Sequence, residues 1–211
     1  MVTRQVVCMI FASTALFWSS APSAAQQLKC TEVHAMAGIA SAKSTTELMA
    51  WNAKAGDSNR AKIVFSFRLF ELHPTDPNYA SAILDLIPKD ENQSLVFYSL
   101  SEDIDCQPEP DNGAESEADM RALARLESRL PRDWASAVLL VPSRMSAYVA
   151  YANASSGYPD SDYAVQMQRV CRTKRREFRD AVDHLSPDAK RWFLSSTFNP
   201  DGCHALHFPE Q

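Results

Sequence analysis

Glycine is scarce in this chain and proline is not: 211 residues carry 5 glycines and 12 prolines. A β-sandwich or barrel turns tightly many times, and glycine supplies the positive φ such turns need. So few glycines disfavour a β fold. The prolines, spaced and often beside helix-start residues, favour helices instead. Ser44-Thr45-Thr46-Glu47 forms a capping box ahead of Leu48, Met49 and Trp51, with Gly56 as a C-terminal stop. Asp76-Pro77 and Ser186-Pro187 each place an N-cap residue before a proline at the first helical position. Pro88, Pro131 and Pro142 divide further segments of helical length.

These signals predict about ten helices, near 30–42, 45–55, 58–72, 77–87, 90–100, 116–130, 132–141, 143–154, 160–185 and 187–197. Most connections are short, so successive helices are expected to pack as antiparallel hairpins. The expected fold is all-α: consecutively packed helical hairpins, as an open array or a compact bundle. One segment is ambiguous. Ile63, Phe65, Phe67 and Leu69 alternate as in a strand, while Ile63, Phe67 and Phe70 fit helical spacing. With no strand partner evident elsewhere, it reads as a buried helix.

The main interruption is a long acidic loop near 101–116, which holds Cys106, Pro108, Pro110 and Asn112-Gly113 with six carboxylates. Each half alone would have a small core, so residues 26–211 read as a single domain. The first 25 residues read as a cleaved secretory signal. Arg4 precedes an apolar run over residues 6–18, and Ser23-Ala24-Ala25 suits signal peptidase. That run is shorter than the roughly 20 residues needed to span a bilayer. The expected product is therefore soluble, periplasmic or secreted, and begins at Gln26.

Removal of the signal leaves Cys30, Cys106, Cys171 and Cys203, an even number in an oxidising compartment. Two disulfides are expected, Cys30–Cys106 and Cys171–Cys203, because that pairing keeps each bridge local. The signal carries one arginine, so its loss moves the net charge from −5 to −6. Mild acidity argues against nucleic-acid binding.

Four features can carry function. Arg169, Arg172, Arg176 and Arg179 form a stripe on the helix near 160–185, opposite Tyr163, Met167, Val170, Cys171, Phe178, Val182 and Leu185. Lys174 falls within the apolar face, where its stem can snorkel. The ordinary reading is a solvated face with Asp180 and Asp183 in ion-pair register to Arg176 and Arg179; the functional one is a docking surface for an acidic partner or anionic polymer. Tyr148, Tyr151 and Tyr158 offer flat rings for a glycan or peptide, against ordinary helix packing. Asp103-Ile104-Asp105 begins like a calcium loop, but Pro108 stands where glycine is required. Cys203, His204 and His207 are metal-ligand types, yet a disulfide at Cys203 withdraws its thiolate, so no metal site is assigned.

Motifs for serine hydrolases, zinc peptidases and phosphate-cradling loops are absent from the sequence. No cofactor and no catalytic residue is nominated, which weighs against an enzyme. The leading expectation is an exported, non-catalytic interaction module for a protein or envelope polymer. Its alternative is a hydrolase of envelope glycan or peptide built on an acid pair.

Overall fold

The structure, a computed structural model, describes residues 30–56, 58–88, 113–155 and 162–205. The predicted signal, the helix near 90–100, Cys106, Tyr158, His207 and most of the acidic loop lie outside the described residues.

The described chain is mostly helical, and the cap chemistry starts its helices. After α1 (Cys30–Ser41), Ser44 opens α2 (Thr45–Asn52): its hydroxyl accepts from the Glu47 amide, and the Glu47 carboxylate accepts from the Lys43 amide at 2.8 Å. Two donors that a helix start leaves unpaired are thereby satisfied. Ser58 does the same for α3 (Asn59–Leu72), and Asp76 followed by Pro77 for α4 (Pro77–Asp85). The ambiguous segment lies in α3, where Ala61, Ile63, Val64, Phe67 and Phe70 are buried at helical spacing. Packing of that stripe decided against the alternation.

α5 (Gly113–Glu127) begins inside the stretch predicted as loop, so the acidic segment is helical from residue 113. A short break at Ser128 and Arg129 precedes α6 (Leu130–Leu140), and a 3-10 turn (Pro142–Arg144) leads into α7 (Met145–Ser155). The helix expected over 160–185 is two helices, α8 (Asp162–Thr173) and α9 (Arg175–Asp183). Lys174 is the break, at φ −131° and ψ 54°. Continuing the helix would have aimed its ammonium into the apolar face; the kink leaves it half-buried instead. Ser186 caps α10 (Pro187–Trp192), which runs on as one π-helical turn (Phe193–Thr197). The chain then makes a two-residue antiparallel ladder unforeseen in the sequence, β1 (Phe198–Asn199) with β2 (His204–Ala205). Asn199 Oδ1 holds the turn by accepting from the Asp201 and Gly202 amides.

Sequential neighbours such as α1 with α2 and α3 with α4 do touch. The contacts between α1 and α5, α4 and α6, and α6 and α8 are nevertheless more extensive, and those between α7 and α9 match those between α1 and α2. Each of these pairs except α1 with α2 skips at least one helix in the chain, so packing is not confined to consecutive hairpins. Trp134 of α6 explains much of this. It is fully buried, donates Nε1–H to the Ile83 carbonyl of α4 at 2.9 Å, and meets Phe67 and Tyr151 edge-on with centroids 5.2 and 5.1 Å away. One side chain thus draws α3, α4 and α7 onto α6.

Cys171 and Cys203 are disulfide-bonded with Cα atoms 5.6 Å apart, which fastens the β1–β2 turn to α8. Beside the bridge, the rings of Phe178, Phe193 and Phe198 pack together with centroids 5.5 to 6.3 Å apart. Cys30 opens α1; its predicted partner Cys106 lies outside the described residues.

Candidate functional site

Two groupings of charged side chains stand out. The first is the arginine edge of α8 and α9, where Arg169, Arg172, Arg175, Arg176 and Arg179 are all exposed. The break at Lys174 adds Arg175 to the four expected from spacing. Arg169 donates to Ser136 Oγ of α6 at 3.3 Å, and Arg179 pairs with Asp201 of the C-terminal turn at 2.8 Å. Among the described residues, Arg172, Arg175 and Arg176 make no ion pair. The pairing expected with Asp180 and Asp183 is corrected: Asp183 pairs with Lys190 at 2.6 Å, which holds its carboxyl below the usual range. A second helix and a turn reach these carboxylate and guanidinium groups, and spacing within one helix says nothing about such neighbours. Arg175, Arg176, Arg179, Asp180 and Asp183 together line a shallow, open depression of about 490 Å³.

The second grouping was not anticipated. It lies where the end of α3 meets the start of α6, around Glu71 and Asp133. Glu71 accepts from Arg68 Nη1 at 2.6 Å and from Arg129 through Nε and Nη2 at 2.5 and 3.2 Å. Arg68 also donates Nε–H and Nη2–H to the Ala42 carbonyl, satisfying an acceptor just past the end of α1. Burial pushes the Glu71 carboxyl up, but hydrogen bonds and charge from Arg129 and Arg68 outweigh it and hold it below the usual range. The cluster therefore ties α1, α3 and the α5–α6 junction with one anion and two guanidinium groups.

Asp133 differs. Only 4% of the residue is exposed, its Oδ1 accepts from Arg132 at 3.3 Å, and no donor reaches its buried Oδ2. Burial, the neighbouring Glu71 charge and a hydrogen bond that the protonated carboxyl makes to Glu71 push it up to about 7 against the pull of Arg132. Two adjacent carboxyls thus titrate far apart, one ionised and one proton-bearing near neutrality. Both line an open depression of about 400 Å³ with Arg68, Arg129, Arg132 and Ser136, over a floor that includes Phe70 and Pro74.

The remaining expected residues fall as follows. Tyr148 and Tyr151 are buried, so neither ring is available for stacking a surface ligand: this part of the predicted ligand surface is corrected to core. Tyr151 stacks edge-on to Tyr163, and their hydroxyls lie 3.4 Å apart. The Tyr148 hydroxyl is buried without a partner, and burial pushes its titration upward. At the C-terminus Cys203 is oxidised, and no group of three metal-ligand side chains occurs among the described residues. His34 and His73 serve as ties between helices, to Asp119 and Thr45 respectively, at 2.9 and 2.8 Å.

A sequence signal for Asp133 did exist. Leu130, Trp134, Ala137 and Val138 set the buried phase of α6, and Asp133 lies inside that phase. A carboxylate on an apolar face requires a partner or a proton. Comparison with known proteins gives no match: no family model, no curated protein and no solved structure significantly resembles the chain.

Proposed function

We propose that this chain is an exported, non-catalytic helical module that engages an acidic partner protein or anionic envelope polymer through the arginine edge of α8 and α9. The observation that carries the reading is the set of exposed arginines, three of them without an ion pair among the described residues. A solvated structural face gains by pairing such charges internally, as Arg179 and Lys190 do here. Unspent guanidinium groups remain ready for carboxylate, sulfate or phosphate on a partner. Export is part of the proposal, as is the expected pairing of Cys30 with Cys106, and the Cys171–Cys203 bridge suits an oxidising compartment. No helix among the described residues is long and apolar enough to cross a membrane.

The test places a photo-crosslinking residue at position 172 or 176 in the exporting cell, with position 121 on α5 as control. Adducts from 172 and 176 that a soluble polyanion competes away, and none from 121, support the reading. Equal labelling from all three positions sinks it.

The Glu71–Asp133 pair favours a second reading, a hydrolase with an acid beside a carboxylate. It ranks lower because arginines already engage both Glu71 oxygens, leaving no free carboxylate to act as nucleophile or base. Release of soluble fragments from envelope glycan or peptide, abolished in Asp133→Asn, would reverse that order.

A further inference from the structure

Adjacent basic residues occur at two places in the chain, Lys174-Arg175-Arg176 and Lys190-Arg191. Their surroundings differ. Lys190-Arg191 lies inside α10, a helix capped by Ser186, and both cations are paired, Lys190 with Asp183 and Arg191 with Asp188. Lys174-Arg175-Arg176 lies at the break between α8 and α9, where Lys174 leaves helical geometry and supplies no side-chain cap to α9. Arg175 and Arg176 occupy the first turn of α9, the end at which the helix dipole disfavours cations. In that turn only Glu177 has the favoured sign. Arg172, Thr173, Arg175 and Arg176 are exposed, while Lys174 and Glu177 are half-buried. Among the described residues, no ion pair holds Arg172, Arg175 or Arg176.

An uncapped turn of unfavourable charge, held by no ion pair, opens locally while the rest of the fold stays closed. The anchors on either side are firm. Cys171 is buried and bridged to Cys203, and Phe178 is fully buried against Phe193 and Phe198. Residues 172–177 can therefore unwind between two fixed points.

We propose that the peptide bond between Arg175 and Arg176 is a processing site for an endoprotease whose substrate pockets are lined by carboxylates. Counting back from the bond, Arg175, Lys174 and Arg172 fill the first, second and fourth pockets, each a cation facing an anion. At the other basic pair the fourth position back is Asp188, which such a pocket repels. Hydrolysis adds one water across the bond: the Arg175 carbonyl becomes a carboxylate and the Arg176 nitrogen becomes a free ammonium group. Cys171 lies before the cut and Cys203 after it, so the disulfide keeps the two pieces covalently joined. The product is a two-chain protein with new chain ends within the arginine edge. Cutting does not depend on that edge docking an acidic partner, because it is read at a single bond.

Limited digestion of the disulfide-intact chain with a furin-type convertase, which requires arginine at the first and fourth positions, tests this. One cut is expected. The digest should remain one species, heavier than the intact chain by one water, and reduction should release a C-terminal fragment that begins at Arg176, identified by mass spectrometry. Arg175→Gln should resist cutting, and Arg172→Gln should be cut about tenfold more slowly. Both positions are exposed, and circular dichroism confirms that the variants are folded. Trp134→Phe, which weakens the whole fold at a buried hydrogen bond, should leave the rate unchanged, because opening at the break is local. A chain that stays uncut, a first cut elsewhere, or a rate that rises about tenfold or more in Trp134→Phe, as cutting through global unfolding requires, overturns the assignment.

Discussion

Replacing Asp133 by Asn tests the electrostatics at the α3–α6 junction through stability alone. Burial and the Glu71 charge raise the Asp133 carboxyl from its ordinary 3.8 to about 7 in the folded state. Below the unfolded value both states are protonated and nothing is lost. As pH rises through the window from about 4 to 7, the unfolded chain ionises first, and the folded state becomes progressively disfavoured. At 1.36 kcal/mol per pH unit the full effect is about 4 kcal/mol above pH 7. Between pH 5.5 and 7.5 the same relation gives a loss of about 2 kcal/mol. With a urea slope near 2 kcal/mol per molar, the unfolding midpoint should fall by roughly 1 M across that interval. Glu71, held below its ordinary 4.5 in the folded state, contributes little between pH 5.5 and 7.5. Histidines contribute equally to wild type and variant, so the comparison isolates Asp133. Asp133→Asn should lose about 2 kcal/mol of this pH dependence and be the more stable protein at pH 7.5. An Asn variant with the same pH slope as wild type would refute the reasoning.

Three further outcomes follow from particular contacts. Trp134→Phe removes the hydrogen bond to the buried Ile83 carbonyl and some ring volume, and should cost about 2–3 kcal/mol in denaturant unfolding. Removing the Cys171–Cys203 bridge, which spans 32 residues of sequence, should cost about 3–4 kcal/mol on loop-closure entropy, read from the thermal midpoint of the double serine variant. A Cβ at Gly38 would stand 2.2 Å from Trp51 Cδ2, so Gly38→Ala should cost about 1–3 kcal/mol in overpacking and shift the tryptophan fluorescence, despite alanine's better helix propensity.

The helix starts were legible because capping is local: Ser44, Asp76 and Ser186 each bond an amide two or three residues ahead. The Cys171–Cys203 bridge was legible for a related reason, since Cys171 sits on the buried face of α8 and a short turn returns Cys203 to it. What spacing could not show was the pairing between distant helices. Nothing local indicates that Trp134 reaches Ile83, 51 residues earlier, or that Arg129 reaches Glu71, 58 residues earlier. The arginine stripe was correctly placed as exposed, but its internal partners were misassigned because Asp201 and Lys190 arrive from other segments. The tyrosines at 148 and 151 suggested a surface because of the polar residues around them; their own helical phase with Ala152 and Val149 takes them into the core.

The α8–α9 arginine edge is the proposed binding surface. Co-sedimentation of the disulfide-intact chain with isolated envelopes of the exporting cell measures its binding directly, comparing wild type with Arg172→Glu/Arg176→Glu and with Arg121→Glu on α5 as a charge-reversal control. Arg121 is exposed and, among the described residues, pairs with Glu117 of its own helix. Reversal on α8–α9 is predicted to weaken binding about tenfold or more, with the wild-type interaction itself weakened by salt and the Arg121 variant unchanged. Wild-type binding that is insensitive to the double reversal would contradict the claim.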